Sequence, residues 1–366
     1  MRCLTESKLK KVLIVTDVNF WEKSSGHRMR ISALITYLAQ CVQLTVVSTG
    51  PAPANIEMLL GDDFKAEFFV LEKIKYLNSN GYGRRLKTFL KDKKFDTIII
   101  EYIHSSYFLN FLVDDVKLIL DAHDIISIRT DEFRRFNYAG ALYEMPREAE
   151  TEIFNVYDNV MILCQPDFDE VTAMLGPGKA LLCPHPVQPR RHPAREEVKN
   201  IAFIASAYLP NRDAINWFIA NCWPSISVKY NVQLSIYGTV CFGLDLHGQQ
   251  QIACKGFVVD TDRIYEEADI VVNPVRFGAG LKIKNVEALA HGLPLVTTTH
   301  GARGIETGIN TAFLVANEAD DFVQSICAVI EGVKLRKRLN KNAHKFIKDN
   351  FSPEKCFEPL MQAINF

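Results

Sequence analysis

The sequence lacks the cysteine motifs of metal and redox sites and the long apolar runs of membrane spans. Its nine cysteines are scattered, and the closest pair, Cys241 and Cys254, lies thirteen residues apart, so the spacings of zinc sites and C-x-x-C redox motifs are absent. There is no run of about 18 apolar residues, and residues 1–11 are too polar for a secretory signal. The net charge of −1 gives no global reason to expect nucleic-acid binding. We therefore expect a cytoplasmic protein, soluble or peripheral on the inner face of the cytoplasmic membrane, with buried, reduced cysteines.

The chain is long enough for two domains, since it has 366 residues of which 48% are apolar. Apolar strands alternate with amphipathic helices in two blocks, which predicts an α/β protein with two Rossmann-like, doubly wound parallel sheets. A proline-rich stretch, Cys183–Asn200, separates the blocks. We predict an N-terminal domain at 1–185, a linker at 186–199, a C-terminal domain at 200–351 and a last helix at 352–366. The predicted strands are Lys11–Thr16, Val42–Ser48, Phe95–Tyr102, Lys117–Asp121, Asn159–Cys164, Ile201–Ser206, Val232–Tyr237, Asp269–Asn273 and Leu293–Thr299, and the predicted helices include Ser25–Gln40, Gly83–Lys91 and Arg147–Tyr157.

The richest segment is Asn273–Gly304, NPVRFGAGLKIKNVEALAHGLPLVTTTHGARG. After a buried strand, Gly278, Ala279 and Gly280 predict a turn that can adopt positive φ and let a phosphate approach the backbone. A helix is predicted from Leu281 to Gly292, so its free N–H groups and positive dipole end lie at the turn. Lys282 and Lys284 add cations there; because cations oppose the helix dipole, a bound anion is the natural explanation. Glu287, on the next turns of the helix, is placed to accept hydrogen bonds from ribose hydroxyls.

This string resembles the donor-binding signature of retaining glycosyltransferase family 4 (glycosyl transferases group 1), which reads roughly G-x-G-x-[RK]-x-K-x-x-E-A-x-A-x-G-x-P-[LV]-V. The resemblance implies the GT-B fold, in which two domains face each other across a cleft and the last helix crosses back to the first domain. It also implies that Lys282 and Lys284 hold the donor diphosphate, that Glu287 holds the ribose, and that backbone N–H groups from Gly278 to Leu281 contact the donor. Many members carry a second glutamate where this chain has Ala279, which leaves contact with the donor sugar to backbone groups or other residues.

Two further loops of the second domain resemble family loops. Ser206–Phe218 resembles the first phosphate-side loop, so Arg212 is a candidate phosphate contact, or else a solvated residue beside a helix cap. Gly256-Phe257-Val258 resembles the loop that holds the nucleobase through backbone groups, which makes Phe257 and Val258 donor-binding candidates.

The pair Asp260 and Asp262 has the Asp-x-Asp spacing that can hold a divalent metal against a diphosphate. It also directly precedes a predicted helix ending at Glu267, where aspartates cap the helix and complement its dipole. We expect the capping role, and therefore no metal site here.

The first domain supplies the expected acceptor side. Within VTDVNFWEKSSGHRMR, only Gly26 lies in the first strand–helix turn, so the fingerprint of a dinucleotide-binding dehydrogenase is missing. His27, Arg28 and Arg30 follow, either as contacts to an acceptor phosphate or as a solvated helix start. His123 lies at the tip of the strand LILDAHD, and the family carries a histidine or aspartate of this kind near the transferred sugar. The resemblance therefore implies that place for His123, with a structural histidine as the alternative. Glu101 and His104, after the neighbouring strand, are further candidates.

The implied activity is transfer of a sugar from a nucleotide-sugar donor to a saccharide or lipid-linked glycan acceptor, with retention, in synthesis of a cell-surface polysaccharide or glycoconjugate. His123, Lys282 and Glu287 are the expected catalytic residues. No cofactor or metal is expected, because fixed N–H dipoles and Lys282 can stabilise the departing diphosphate. Two alternatives remain open: a non-catalytic binding or scaffold protein on the same architecture, and a sugar-nucleotide epimerase, which would need no acceptor.

The segment 81–95, GYGRRLKTFLKDKKF, combines a short apolar stripe with cations. Such a helix either lies on an anionic membrane surface or docks on its own sheet.

Overall fold

The computed structural model describes residues 9–22, 25–49, 52–61, 64–71, 79–112, 115–139, 143–190, 192–246, 248 and 250–366. Ser24 of the predicted first loop and most of the polar N-terminal segment, residues 1–8, therefore lie outside the described residues.

The chain forms two compact units, each made of segments that are not contiguous in the sequence. The first unit comprises the described residues within Met1–Ile128, Tyr143–Cys183 and Phe357–Phe366, and the second those within Arg129–Leu142 and Pro184–Cys356. The stretch predicted as a linker belongs to the second unit, where Val187 N donates to Phe351 O and Arg190 N to Ala290 O.

The first unit is built on seven parallel strands in the order β3-β2-β1-β4-β5-β6-β7. Its central strands are continuous apolar runs, such as Val12–Val15, because helices cover both faces of a doubly wound sheet. The strands are β1 (Lys11–Thr16), β2 (Gln43–Ser48), β3 (Glu67–Val70), β4 (Thr97–Glu101), β5 (Lys117–Asp121), β6 (Asn159–Ile162) and β7 (Ala180–Leu182). The helices are α1 (Gly26–Cys41), α2 (Ile56–Leu60), α3 (Ser79–Leu90), α4 (Ile126–Arg135), which continues into the second unit, α5 (Arg147–Val156) and α6 (Gln165–Leu175), with a 3-10 helix at Ile103–Phe111.

The second unit is built on six parallel strands in the order β10-β9-β8-β11-β12-β13. The strands are β8 (Asn200–Ile204), β9 (Gln233–Tyr237), β10 (Ile252–Gly256), β11 (Ile270–Asn273), β12 (Leu295–Thr297) and β13 (Leu314–Val315). The helices are α7 (Leu209–Asn221), α8 (Trp223–Lys229), α9 (Thr261–Glu267), α10 (Ile283–Ala290), α11 (Ala319–Glu331), α12 (Val333–Asn350) and α13 (Pro353–Asn365), with 3-10 helices at Thr239–Cys241 and Glu306–Gly308. Helix α13 begins in the second unit and continues into the first from Phe357 onward. The prediction of two doubly wound α/β sheets is confirmed.

Each sheet has a point at which its strand order reverses. In the first unit this point lies between β1 and β4, and in the second between β8 and β11. Open α/β sheets bind ligands at this reversal, outside the carboxyl ends of the strands. The loops that follow these four strands are therefore where each unit is expected to bind a ligand.

Candidate functional site

In the second unit, the sheet reversal is bordered by the loop after β8 and the turn after β11. Lys284, at the start of α10, joins them, since its Nζ donates to Oδ1 of Asn211 at 2.8 Å. The same ammonium lies 5.1 Å from the ring centroid of Phe203 in β8. Two segments predicted separately as parts of one site are therefore in direct contact.

The predicted glycine turn is present. Gly278 and Gly280 have φ of 114° and 70°, a region that glycine enters without steric cost. The helix begins later than predicted, at Ile283 rather than Leu281, and Lys282 is its N-cap. The shift leaves Leu281 in the turn, so the backbone from Gly278 to Leu281 keeps its N–H groups outside the helix ladder.

Lys282 has partners within the turn itself. Its Nζ donates to Ala279 O at 3.1 Å and to Gly280 O at 2.9 Å. The expectation that its charge requires a bound anion is therefore too strong, because carbonyl oxygens already stabilise the ammonium. The lysine stabilises the turn, and its charge lies at the N-terminal end of α10.

Lys284 is perturbed more strongly. Burial, together with the charge of Lys282, lowers its pKa to about 7. A half-buried ammonium with an amide oxygen as its hydrogen-bond partner is only partly compensated, so an anion at the turn would favour its charged form.

Glu287 lies on α10 with one oxygen bound and one not. Tyr265 Oη donates to Oε2 at 2.8 Å, whereas Oε1 is buried and has no hydrogen-bond partner. Burial raises the pKa of Glu287 to about 7, although the hydrogen bond from Tyr265 opposes the shift. A buried acceptor without a donor costs about 1–3 kcal/mol, and a ligand hydroxyl at this position would remove that cost.

A buried network behind the turn fixes α10 to the strand ends. Asn285 accepts a 2.8 Å hydrogen bond from Asn273 Nδ2 and donates one of 2.8 Å to Gly301 O. Thr297 Oγ1 donates to Asn273 O at 2.7 Å. These contacts join β11, β12 and α10 into one support, which holds the turn in place before any ligand arrives.

Sequence reasoning missed a second support, at Arg276. Its guanidinium donates twice to Asp213, at 2.9 and 2.6 Å, and Tyr138 Oη donates to the same carboxylate at 3.0 Å. The next residue, Phe277, is fully buried, with Phe136 and Tyr138 stacked on its ring. The arginine between a strand and the glycine turn was a visible signal, but its partner Asp213 lies 63 positions earlier in the chain, and Tyr138, which also binds that carboxylate, lies earlier still.

The remaining donor-side candidates lie around this centre. Arg212 Nε donates to Ala207 O at 3.0 Å, within the loop after β8. Phe257 follows β10 and is 52% exposed, whereas Val258 is half-buried against the core. An exposed aromatic ring at a strand end offers a surface on which a planar base can stack.

The Asp-x-Asp pair is divided between two roles. The Asp260 side chain caps α9 and accepts a hydrogen bond from Asp262 N at 3.1 Å, which confirms the capping prediction for Asp260. Asp262 instead forms an ion pair with Arg190 at 3.2 Å, and its Oδ1 lies 3.3 Å from Nε2 of His291.

In the first unit, two of the predicted residues form a direct pair. His123 Nε2 lies 2.8 Å from Oε2 of Glu101, across the adjacent tips of β5 and β4. Burial and the charge of Asp121 raise the pKa of Glu101 to about 7. Burial alone would lower the pKa of His123, but the charges of Asp121 and Glu101 outweigh it and leave that pKa raised. The pair therefore holds a proton close to neutral pH.

Arg30 contradicts its prediction as an acceptor contact. Its side chain is fully buried, its Nε lies 3.3 Å from Asp121 Oδ2, and its guanidinium lies 4.8 Å from the ring centroid of Phe357. One side-chain oxygen or nitrogen from each of Glu101, Asp121 and His123 lies within 4.8 Å of the other two, which is close enough for the three to coordinate a metal ion. The guanidinium already supplies a positive charge beside them, so the cluster is electrostatically supported without a metal.

The backbone at these strand tips is unusual. His123 and Tyr102 have φ of 63° and 65°, which bulky residues seldom adopt, and their rings stack with centroids 4.0 Å apart. His104 stacks on the same tyrosine and lies 3.0 Å from Asp17, the residue after β1. Residues held in such conformations concentrate at functional sites, so the tips of β1, β4 and β5 are the candidate site of this unit.

The start of α1 lies beside these tips. His27 Nδ1 is 3.2 Å from Ser25 Oγ, and its ring centroid is 6.4 Å from that of Tyr102. Burial and the nearby charges of His123 and Arg28 lower the pKa of His27 to about 4. Arg28 forms an ion pair of 2.5 Å with Glu22, and Gly26 is the first residue of the helix. The structure thus brings the predicted acceptor-side residues of this unit to one edge of its sheet, except the buried Arg30.

The basic helix docks on its own sheet. Leu86 and Leu90 of the apolar stripe are buried in the core of the first unit, so the stripe is not available to a membrane. In the described part of the chain, no helix has both the length and the hydropathy needed to cross a bilayer.

Known proteins resemble both the second unit and the chain as a whole. Residues 198–332, within the second unit, match the model of the family Glycosyl transferases group 1. An uncharacterised 44.6 kDa protein in the cps region of Klebsiella pneumoniae is 23% identical over an alignment of 305 positions, which covers 76% of this chain and 76% of that one.

Among solved structures, a mutant of S. aureus TarM in complex with fondaparinux, alpha-GlcNAc-glycerol and UDP has a TM-score of 0.75 at 11% identity, covering 97% of this chain and 100% of that one. Anabaena HepE in complex with UDP-glucose has a TM-score of 0.71 at 14% identity, covering 97% and 99%. These likenesses show the GT-B fold. The family match supports glycosyl transfer and does not favour the scaffold or epimerase alternatives.

Proposed function

We propose that the protein transfers a sugar, with retention, from a nucleotide-sugar donor to a saccharide or lipid-linked glycan acceptor. The observation that carries the donor assignment is the buried Oε1 of Glu287, which lacks a hydrogen-bond partner one helix turn beyond the glycine turn. A ribose hydroxyl fits this acceptor, and a diphosphate fits the N–H groups and lysines at the turn. The proposed donor-binding set also includes Arg212, Phe257 and Val258.

In this proposal the donor is activated without metal or cofactor. As the bond between sugar and diphosphate breaks, negative charge grows on the departing diphosphate. The N–H dipoles from Gly278 to Leu281 and the ammonium groups of Lys282 and Lys284 then bind it more strongly than in the ground state. This difference, rather than ground-state binding, lowers the barrier.

The proposed acceptor site is the edge of the first sheet. There, Glu101 and the raised pKa of His123 allow a proton to be held close to neutral pH. We assign His123 a catalytic role near the transferred sugar, and Gly26, His27, Arg28 and His104 a role in acceptor binding.

The proposed pathway and location rest on the relatives. The Klebsiella pneumoniae relative is encoded in a cps region, TarM was solved with UDP and HepE with UDP-glucose. These favour a uridine nucleotide sugar and the synthesis of a cell-surface polysaccharide on the cytoplasmic side. Contact with an anionic membrane would use the exposed cations Arg84, Lys87 and Lys91, each of which would contribute about 1 kcal/mol to binding. Co-sedimentation with anionic vesicles, lost at high salt, is the expected result of a test of this contact.

The central test is donor binding by Glu287→Gln, which preserves size but removes the anionic acceptor. We expect calorimetry to show that the free energy of UDP-glucose binding is less favourable by about 1.5–3 kcal/mol, the range for hydrogen bonds to charged groups. Glu197→Gln, an exposed position in the same unit, is the matched control. Unchanged affinity in a folded Glu287→Gln protein would remove Glu287 from the donor site.

A further inference from the structure

A cavity lies in the second unit, and its lining does not include Lys282, Lys284 or Glu287. Its volume is about 390 Å³, and it is lined by Glu132, Arg135, Phe136, Arg276, Thr299, His300, Arg303 and Asn317. The donor-site assignments above leave this cavity without a role.

The cavity carries an excess of positive charge. Three guanidinium groups line it, from Arg135, Arg276 and Arg303, against one carboxylate, Glu132. Asp213 behind the wall holds Arg276 with two hydrogen bonds, so three positive charges face two negative ones. The bidentate pair also fixes the Arg276 fork in one orientation, which reduces the entropy lost when an anion binds.

His300 is poised between the cavity and the glycine turn. Its Nδ1 lies 3.7 Å from Glu132, its side chain hydrogen-bonds the backbone of Gly278, and its Nε2 is buried without a partner. Burial and the charges of Lys282 and Arg303 lower its pKa to about 3, so the ring is neutral at pH 7. The ring is neutral in positive surroundings, and its buried Nε2 has no partner. An anion bound in the cavity would stabilise the protonated ring, whose Nε2–H would donate to it.

We propose that this cavity binds a carboxylate or phosphate group carried by a sugar that lies beside the glycine turn. The guanidinium groups of Arg303 and Arg135 supply hydrogen bonds to its oxygens, and Phe136 provides an apolar wall. The protein thus selects a charged sugar, as part of the donor or of the acceptor. That the ligand is a sugar rests on the proposed function; the anion site itself does not.

The donor arm of the test compares UDP-glucuronate with UDP-glucose, using UDP as the reference ligand. If the acid belongs to the donor, UDP-glucuronate binds about tenfold more tightly than UDP-glucose, and Arg303→Gln removes the preference without changing UDP affinity. Arg135→Gln, at a side chain 76% exposed, gives a smaller loss at a position where folding is not at risk. Arg338→Gln, on the exposed face of α12, is the control and keeps the full preference.

The second arm addresses an acidic acceptor. The imidazole signals of His300 are followed by NMR, with and without UDP, while inorganic phosphate, D-glucuronate or neutral D-glucose is added. Phosphate or glucuronate, but not glucose, is expected to shift these signals and raise the pKa of His300, and Arg303→Gln to abolish the shift. If UDP binds but neither arm distinguishes acid from neutral sugar, the anion cavity is refuted and the donor site stands; if UDP does not bind while phosphate moves His300, the reverse holds.

Discussion

Donor affinity should pass through a maximum near neutral pH. Glu287 and Lys284 both have a pKa of about 7, reached from opposite sides, because burial disfavours the charge on each. In the proposed donor site, Glu287 must be ionised to accept a hydrogen bond from the ribose, and Lys284 must be protonated to hold the diphosphate. Raising the pH ionises Glu287 but deprotonates Lys284, so the two requirements oppose each other.

The magnitude follows from the two titrations. With independent pKa values near 7, about one quarter of the protein has both groups charged at pH 7, and about one twelfth at pH 6 or pH 8. Affinity for UDP-glucose, whose diphosphate does not titrate in this range, should therefore fall about threefold one unit from the optimum on either side.

Single variants separate the two limbs. In Glu287→Gln only the lysine titrates, so affinity should decline about tenfold from pH 6 to pH 8. In Lys284→Met only the carboxylate titrates, so affinity should rise by about the same factor over that range. Calorimetric titration at five pH values measures this, and Glu197→Gln should retain the maximum. A profile of Lys284→Met that matches the unmodified protein would refute the reasoning.

Other consequences can be tested with standard assays. Lys282→Met should lower the free energy of unfolding by about 1–2 kcal/mol through loss of the turn contacts, and should lower kcat for transfer, in thermal and kinetic measurements respectively. Asp260→Ala should cost about 1 kcal/mol of stability as a lost cap while kcat stays unchanged. Transfer should persist in EDTA, and restoration of a lost activity by manganese would contradict the metal-free proposal. Glu101→Gln should shift the acidic limb of the pH–rate profile by altering the pKa of His123; an unchanged profile would make the pair structural.

Periodicity and turn chemistry predicted much of the architecture. Buried parallel strands contain continuous apolar runs, as Leu118–Leu120 does within Lys117–Asp121, and the bounds of the predicted strands agree with the structure to within a residue or two. The glycine turn was predictable because positive φ at Gly278 and Gly280 strongly favours glycine. Local pattern carries this information, and so the glycine turn and the helix that follows it could be predicted from the sequence.

What could not be predicted depends on contacts between distant positions. The spacing of apolar residues in α1 places Arg30 on the buried face of the helix. Only the fold shows that Asp121 lies beside it and compensates its charge. Glu101 and His123 were separate candidates, and their hydrogen bond exists because β4 and β5 are neighbours in the sheet. Arg276 acquires its role from Asp213, which no local pattern connects to it.

The tail of the chain sets an order on biosynthesis. Phe357, Leu360 and Ile364 are buried in the core of the first unit, and Lys117 Nζ donates to Ala363 O at 2.6 Å. Domains tend to fold as they leave the ribosome, N-terminal first. Here the first unit cannot close its core until the ribosome has released residues that follow the whole second unit. A nascent chain would therefore carry an unfinished sheet, with apolar surface for chaperones to recognise. Deletion of residues 357–366 should destabilise the first unit, most of which lies before residue 184.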